Sequence, residues 1–219
     1  MNDAGAHRSV VPSRMPERAR FDPGTIASIL DEALVCHVAW VRNGLPVAIP
    51  TIHVRIGDNL YLHMSTGAAL TRASAAADIP VCVTATIVDG LVLAKSWMHH
   101  SMNYRSVVVH GDASLVGEPE ERGRALRAVV EHVVPGRAGQ SRPPNPKELA
   151  ATAVLRVPLD TASAKVRVGP PGDDDADLDL PHWAGVIEVG QVFGPAHGDG
   201  DPPEHVVSLL DAGRAGAAG

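Results

Sequence analysis

From Ser101 to Gly111 the chain alternates in the manner of a strand. Successive side chains of a strand point to opposite faces, so Tyr104, Ser106, Val108 and His110 share one face and Arg105, Val107 and Val109 the other. The β-branched residues favour the extended state. Tyr, Arg, Ser and His set among valines predict either a polar site at one end of a sheet or barrel, or an edge strand with one wet face. A second segment, Asn59 to Arg72, reads as a strand running directly into a helix. Leu60, Leu62 and Met64 form one face of that strand, and Tyr61 and His63 the other. Ser65 has the side chain of an N-cap. Thr66, Gly67, Ala68 and Ala69 carry no carboxylate to complement the free N–H groups of a helix start, which makes the start an anion site. Arg72 lies about two turns on, and its side chain leans back toward that start. The plainer alternative is an alanine-rich helix packed on a sheet, with Arg72 in water.

The remaining pattern is a series of short strands and a few helices. Asp22-Pro23 opens a helix whose apolar stripe is Ile26, Ile29 and Leu30. Strands are expected near 34–42 and 45–55, joined at Asn43-Gly44, a strong hairpin signal. Asp58-Asn59 marks the next turn, and Asp89-Gly90 another between strands near 80–88 and 90–97. Glu118-Pro-Glu-Glu opens a helix to about Val133, with Ala125, Val129 and Val133 as its stripe. A loop over 135–146, a short helix over 146–150 and a strand over 152–158 follow. Asp173 to Asp179 reads as a solvated acidic loop. The organisation expected is a loose arm over 1–20, one domain over 21–190, and a mobile tail over 191–219 with one helical turn near Glu204–Leu210. Short strands joined by tight turns indicate an antiparallel barrel or sandwich with flanking helices, a mainly β, α+β class.

A chain of 219 residues with 45% hydrophobic content builds one sizeable core. A formal charge of -6 without a basic run gives no footprint for nucleic acid or an anionic membrane. No apolar run approaches the roughly 18 residues of a membrane helix, and no signal-peptide core is visible, so the cytoplasm is the expected location. Cys36 and Cys82 sit in apolar strands and read as buried thiols. Metal-binding Cys-x-x-Cys and His-Glu-x-x-His, dinucleotide-binding Gly-x-Gly-x-x-Gly and the Gly-x-Ser-x-Gly elbow are all missing. Of the 11 histidines, His7, His197 and His205 lie in the terminal segments. His37 and His53 belong to strands, His99-His100 to a turn, and His110 shares a face with Tyr104.

The segments 59–72 and 101–111 together resemble the flavin-nucleotide-binding branch of the pyridoxamine 5'-phosphate oxidase-like family. Further resemblance lies in Ala33–Ala39, Val81–Thr86 with Asp89–Ala94, and Ser163–Pro171 with Trp183–Val186, so that it spans roughly residues 15 to 190. It implies an FMN-binding split β-barrel that works as a homodimer, with the flavin at the subunit interface. His63, Ser65 and Arg72 would then lie along the ribityl-phosphate end, with Met64 also among the cofactor contacts, and Pro50, Thr51, Ile52 and His53 beside the ring. Tyr104, Arg105 and Ser106 would approach from the partner strand or chain, with Trp183 near ring or substrate. The family's true oxidases end in an arginine- and histidine-bearing segment; here Trp183 is followed by Ala-Gly-Val-Ile-Glu-Val-Gly-Gln, which argues against pyridoxine phosphate as substrate. A branch linked to nitroimidazole resistance carries a histidine where His63 stands. The resemblance implies a flavin-dependent oxidoreductase acting on a small molecule, with His63 or Tyr104 delivering a proton. FAD in place of FMN, a haem-binding protein ligated through His99, His100 or His110, and a non-catalytic flavin carrier or sensor are the alternatives.

Overall fold

The computed structural model describes residues 14–216. Its strands are β1 (Ala19–Arg20), β2 (Cys36–Arg42), β3 (Leu45–Thr51), β4 (His53–Ile56), β5 (Asn59–Ser65), β6 (Ile79–Leu93), β7 (Ser101–Leu115), β8 (Thr152–Pro158), β9 (Ala162–Arg167) and β10 (Gly185–Glu188). The helices are α1 (Pro23–Glu32), α2 (Ala69–Ser74), α3 (Pro119–Val133), α4 (Pro146–Ala151) and α5 (Glu204–Gly216). The main path of the sheet runs β3-β2-β6-β7-β8-β5-β4, with β10 added to β6 and β9 bridging β7 and β1. Its two ends, β3 and β4, follow each other in sequence across Ile52. The sheet therefore curls round on itself, antiparallel throughout.

The inward faces close over one core. Val38, Leu60, Leu62, Val83, Val107, Val109, Leu155 and Val157 meet inside, and the α1 stripe of Ile26, Ile29 and Leu30 packs among them. Trp40 is buried in the same cluster. Asp22 caps α1 as expected, accepting the Thr25 N–H at 2.8 Å. At the β2–β3 turn both Asn43 (φ 51°) and Gly44 (φ 78°) are left-handed, the type I′ geometry that matches strand twist. A second, smaller cluster lies outside the barrel, where Ala125 and Val129 of α3 cover Val54, Tyr61 and Val154. β7 changes partner along its length, from β9 (Tyr104 to Val109) to β8 (Ser114 and Leu115). Gly111 sits at that crossing, where an added Cβ would lie 2.6 Å from Val157 Cγ1.

Several expectations need correction. Asp89-Gly90 is not a turn: β6 continues through it to Leu93, because β7 supplies partners on both sides and a bulge between Val88 and Gly90 absorbs the extra residue. The β4–β5 turn is Gly57-Asp58, one residue earlier than expected, since Gly57 supplies the left-handed φ of 59°. Ser65 does not cap a helix; it ends β5, and its hydroxyl accepts the Gly67 N–H at 3.2 Å. α2 starts after Ala68 without a side-chain cap. Val133 leaves the α3 stripe, 37% exposed. α5 is longer than the single turn expected, because residues 204–212 contain neither Gly nor Pro. Of the expected N-terminal arm, residues 1–13 lie outside the described residues, while Ala19 and Arg20 pair with β9.

The crossing at Gly111 is testable. Gly111→Ala forces β7 and β8 apart and should cost about 1–3 kcal/mol, seen as a lower urea midpoint at unchanged slope. A variant as stable as the parent would show that the crossing has slack.

Candidate cofactor site

Residues directly opposite in an antiparallel ladder share a face. The register therefore gathers Tyr104, Ser106, Val108 and His110 of β7 with Thr86, Thr84 and Cys82 of β6. It extends through His37 of β2 to Pro50 of β3, and through Arg167, Lys165 and Ser163 of β9 on the other side. Apart from buried Ser163 this outer face is half-buried or exposed, and Thr84, Ala39 and Ser106 keep it low in relief. Pro50, Tyr104 and Ser106 are thus brought onto one face. The other residues expected beside the ring are not: Thr51 stands opposite buried Cys36 and Ile52 packs against the cluster under α3, while Met64, expected among the cofactor contacts, lies in the core. His53 is fully buried. Its Nε2–H donates to the Leu30 carbonyl at 2.9 Å, since a carbonyl can only accept. Arg105 occupies the opposite face, where its guanidinium joins Asp89, through Nε at 3.0 Å and Nη2 at 2.7 Å, to Glu32 at the end of α1. Those carboxylates, Glu32 first, hold its charge well above the usual arginine range. Ser65, Arg72 and Trp183 are exposed, as is Trp97 (94%), and Trp183 lies over the Gly185 backbone. His99 and His100 are engaged at the β6–β7 hairpin tip, His99 Nδ1 with Ser96 Oγ at 2.8 Å and His100 Nδ1 with the Ser96 carbonyl at 2.9 Å.

His63 opens elsewhere, into a cavity of about 800 Å³ between β5, α3, the segment 138–144 and α4. Leu126, Val129, Val130, Pro143, Pro144 and Leu149 give it apolar walls, and Arg127 and Arg142 supply cations. Arg142 is tied to Glu148 by two hydrogen bonds of 2.8 and 2.6 Å, whereas Arg127 has no carboxylate partner among the described residues. The His63 Nδ1 is buried and has no hydrogen-bond partner among the described residues. On the same strand face Tyr61 donates to Glu121 at 2.8 Å, and Glu121 also accepts from Arg156 at 3.2 Å. Sequence reasoning missed this cavity, having treated α3 as an ordinary amphipathic helix and 135–146 as a plain loop. The available signal was the pair Val129-Val130 beside Arg127: two adjacent valines give the helix a wider apolar face than packing on the barrel uses.

A curled antiparallel sheet with a flat outer face and a histidine-lined cavity beside it is the architecture of a cofactor-binding split barrel. The family pattern described as pyridoxamine 5'-phosphate oxidase matches residues 22–166, and the chain belongs to that family. The flavocytochrome Anf3 from Azotobacter vinelandii is 36% identical, with a TM-score of 0.83 over 90% of this chain and 94% of that one. The FAD and heme binding protein from Mycobacterium smegmatis is 32% identical, with a TM-score of 0.82 over 88% and 97%. A putative 5-nitroimidazole antibiotic resistance protein from Bacteroides thetaiotaomicron, 23% identical with a TM-score of 0.57 over 68% and 86%, shares the fold. No curated protein matches the chain. No helix among the described residues is long and apolar enough to cross a membrane.

His53 makes stability depend on pH. Burial holds its pKa below the ordinary 6.5, against the opposing pull of the Leu30 carbonyl. A histidine depressed in the folded state contributes stability that is present above the unfolded value and is lost as pH falls below it. The urea midpoint should therefore drop between pH 7 and 5, and His53→Gln should flatten that slope. An unchanged slope would place the titrating group elsewhere.

Proposed function

We propose that this chain is a flavin-nucleotide-binding protein that also holds haem, working as a homodimer and as a flavin-dependent oxidoreductase on a small molecule. The observation that carries the haem part is the unpartnered His63 Nδ1 beside a cavity of about 800 Å³. Its volume falls within the roughly 300–1,000 Å³ range of cofactor pockets. The donor set fits the group: an imidazole for the iron, apolar walls for the macrocycle, and arginines for its carboxylates. His63 thus takes the role for which His99, His100 and His110 stood as candidates, because none of those three lines the cavity. The relatives at 36% and 32% identity point the same way, one described as a flavocytochrome and the other as binding FAD and heme. The second also favours FAD over FMN.

The outer face suits the flavin. It offers a flat platform in Thr84, Ala39 and Ser106, with the Tyr104 hydroxyl as the proton donor on that side. Ser65 and Arg72 remain the proposed contacts of the ribityl-phosphate end. Dimerisation would cover the platform and exclude water. Bound flavin and haem supply the redox chemistry; the chain orients them and sets their electrostatics.

The purified protein should show flavin bands and a Soret band, and should release FAD or FMN on denaturation. His63→Ala should remove most of the Soret absorbance and leave flavin content intact. A full Soret band in that variant would overturn the ligand assignment. A colourless protein that takes up neither added flavin nor haemin would overturn the whole reading. In a separate experiment, joint replacement of Ser65 and Arg72 by alanine should weaken flavin retention about ten- to a hundredfold, the worth of a charge-assisted hydrogen bond. Unchanged retention would remove both residues from the phosphate site.

A further inference from the structure

Arg167 is a half-buried guanidinium without a counter-ion among the described residues. Its hydrogen bonds go to neutral oxygens: Asn103 Oδ1, the Gly169 carbonyl at 3.3 Å and the Pro170 carbonyl at 3.2 Å. Among the described residues no Asp or Glu acts on it; the charge it feels is that of another cation, Arg18, with Tyr104 on the favourable side. Burial first, and Arg18 second, hold its pKa below the ordinary arginine value. Desolvated charges are normally paired, because their transfer out of water is expensive otherwise. Lys165 stands two residues earlier on the same strand face, directly opposite Ser106, and its Nζ also donates to a neutral oxygen, the Arg14 carbonyl at 3.1 Å. The Arg18 guanidinium reaches Glu17 only loosely, at 3.9 Å. This cationic group stands at the edge of the outer face of a protein whose formal charge is -6. Overall composition cannot account for it.

We infer that Arg18, Lys165 and Arg167 form a diphosphate-binding site beside Tyr104 and Ser106, serving a dinucleotide laid along the outer face. The three neutral acceptors around Arg167 fix its planar fork in one orientation and leave its charge uncancelled, which suits bidentate capture of phosphate oxygens. The dinucleotide is either a pyridine dinucleotide that delivers reducing equivalents or the flavin's own adenylate-bearing form, in which case these cations, and not Ser65 and Arg72, hold the diphosphate that carries the ribityl end. The identity of the ligand rests on the flavin reading, whereas the charge imbalance does not.

The test uses the full chain at low salt, comparing the parent with Lys165→Gln, Arg18→Gln and Arg167→Gln. Arg167→Gln also loses hydrogen bonds to its own loop, so the other two variants, which leave those bonds intact, guard against a folding defect. Inorganic pyrophosphate is titrated calorimetrically, riboflavin and FAD by flavin fluorescence after flavin removal, and NADPH by steady-state KM. Pyrophosphate affinity should fall about tenfold for each cation removed, with riboflavin affinity unchanged. A parallel loss for FAD assigns the site to the flavin, and a parallel rise in KM for NADPH assigns it to the reductant. Pyrophosphate, FAD and NADPH all insensitive to the three substitutions, or riboflavin weakened equally, would overturn the proposal. A chain that binds pyrophosphate through these residues but no flavin would keep the anion site and discard the flavin reading. Flavin bound without any dependence on these cations would do the reverse.

Discussion

Strand β7 has to satisfy three neighbours along one run of 15 residues. It pairs with β6 over almost its whole length, and on its other edge hands over from β9 to β8. Backbone groups in a sheet need partners wherever water cannot reach them, so this handover fixes where the barrel splits. Gly111 makes it feasible, because a side chain there would strike Val157 and Pro158. The same run of residues sets the outer face on one side and the core on the other. The positions of Tyr104, Ser106, Lys165 and Arg167 relative to each other follow from that register.

A second consequence concerns the bulge near Asp89. The extra residue turns the Asp89 carboxylate onto Arg105, which reaches across to Glu32 at the end of α1. The hairpin and the helix that plugs the barrel are joined by that contact. Arg105 therefore belongs to the scaffold, although its place in a polar strand made it look like a cofactor residue.

Much of the fold was legible because local chemistry and global packing agree. Asp22, Asn43-Gly44, Glu118 and the alternation of β5 and β7 each specify one element, and the structure uses each in that way. Asp89-Gly90 misled because a dipeptide favouring turns also tolerates a bulge, and only the length of the partner strand decides between them. Ser65 misled because a hydroxyl that caps helices also closes tight turns. The site was legible in part. Tyr104, Ser106 and His63 were singled out by strand alternation together with the family resemblance. Their separation onto a sheet face and into a cavity depends on α3 folding back over β5, a long-range event that no local pattern encodes. The cations of β9 escaped notice because two charges spaced by one residue look like any solvated strand until their partners are counted.

The scarcity of aromatic residues gives the molecule an optical property. Trp40 is sealed in the barrel core, whereas Trp97 at the hairpin tip and Trp183 beside β10 are bathed in solvent. Three tryptophans so disposed form two populations for an aqueous collisional quencher such as iodide. Emission that iodide suppresses comes from the rim of the molecule, and the blue-shifted remainder comes from its interior. Events at the hairpin tip and melting of the barrel are thereby written into separate parts of one emission spectrum.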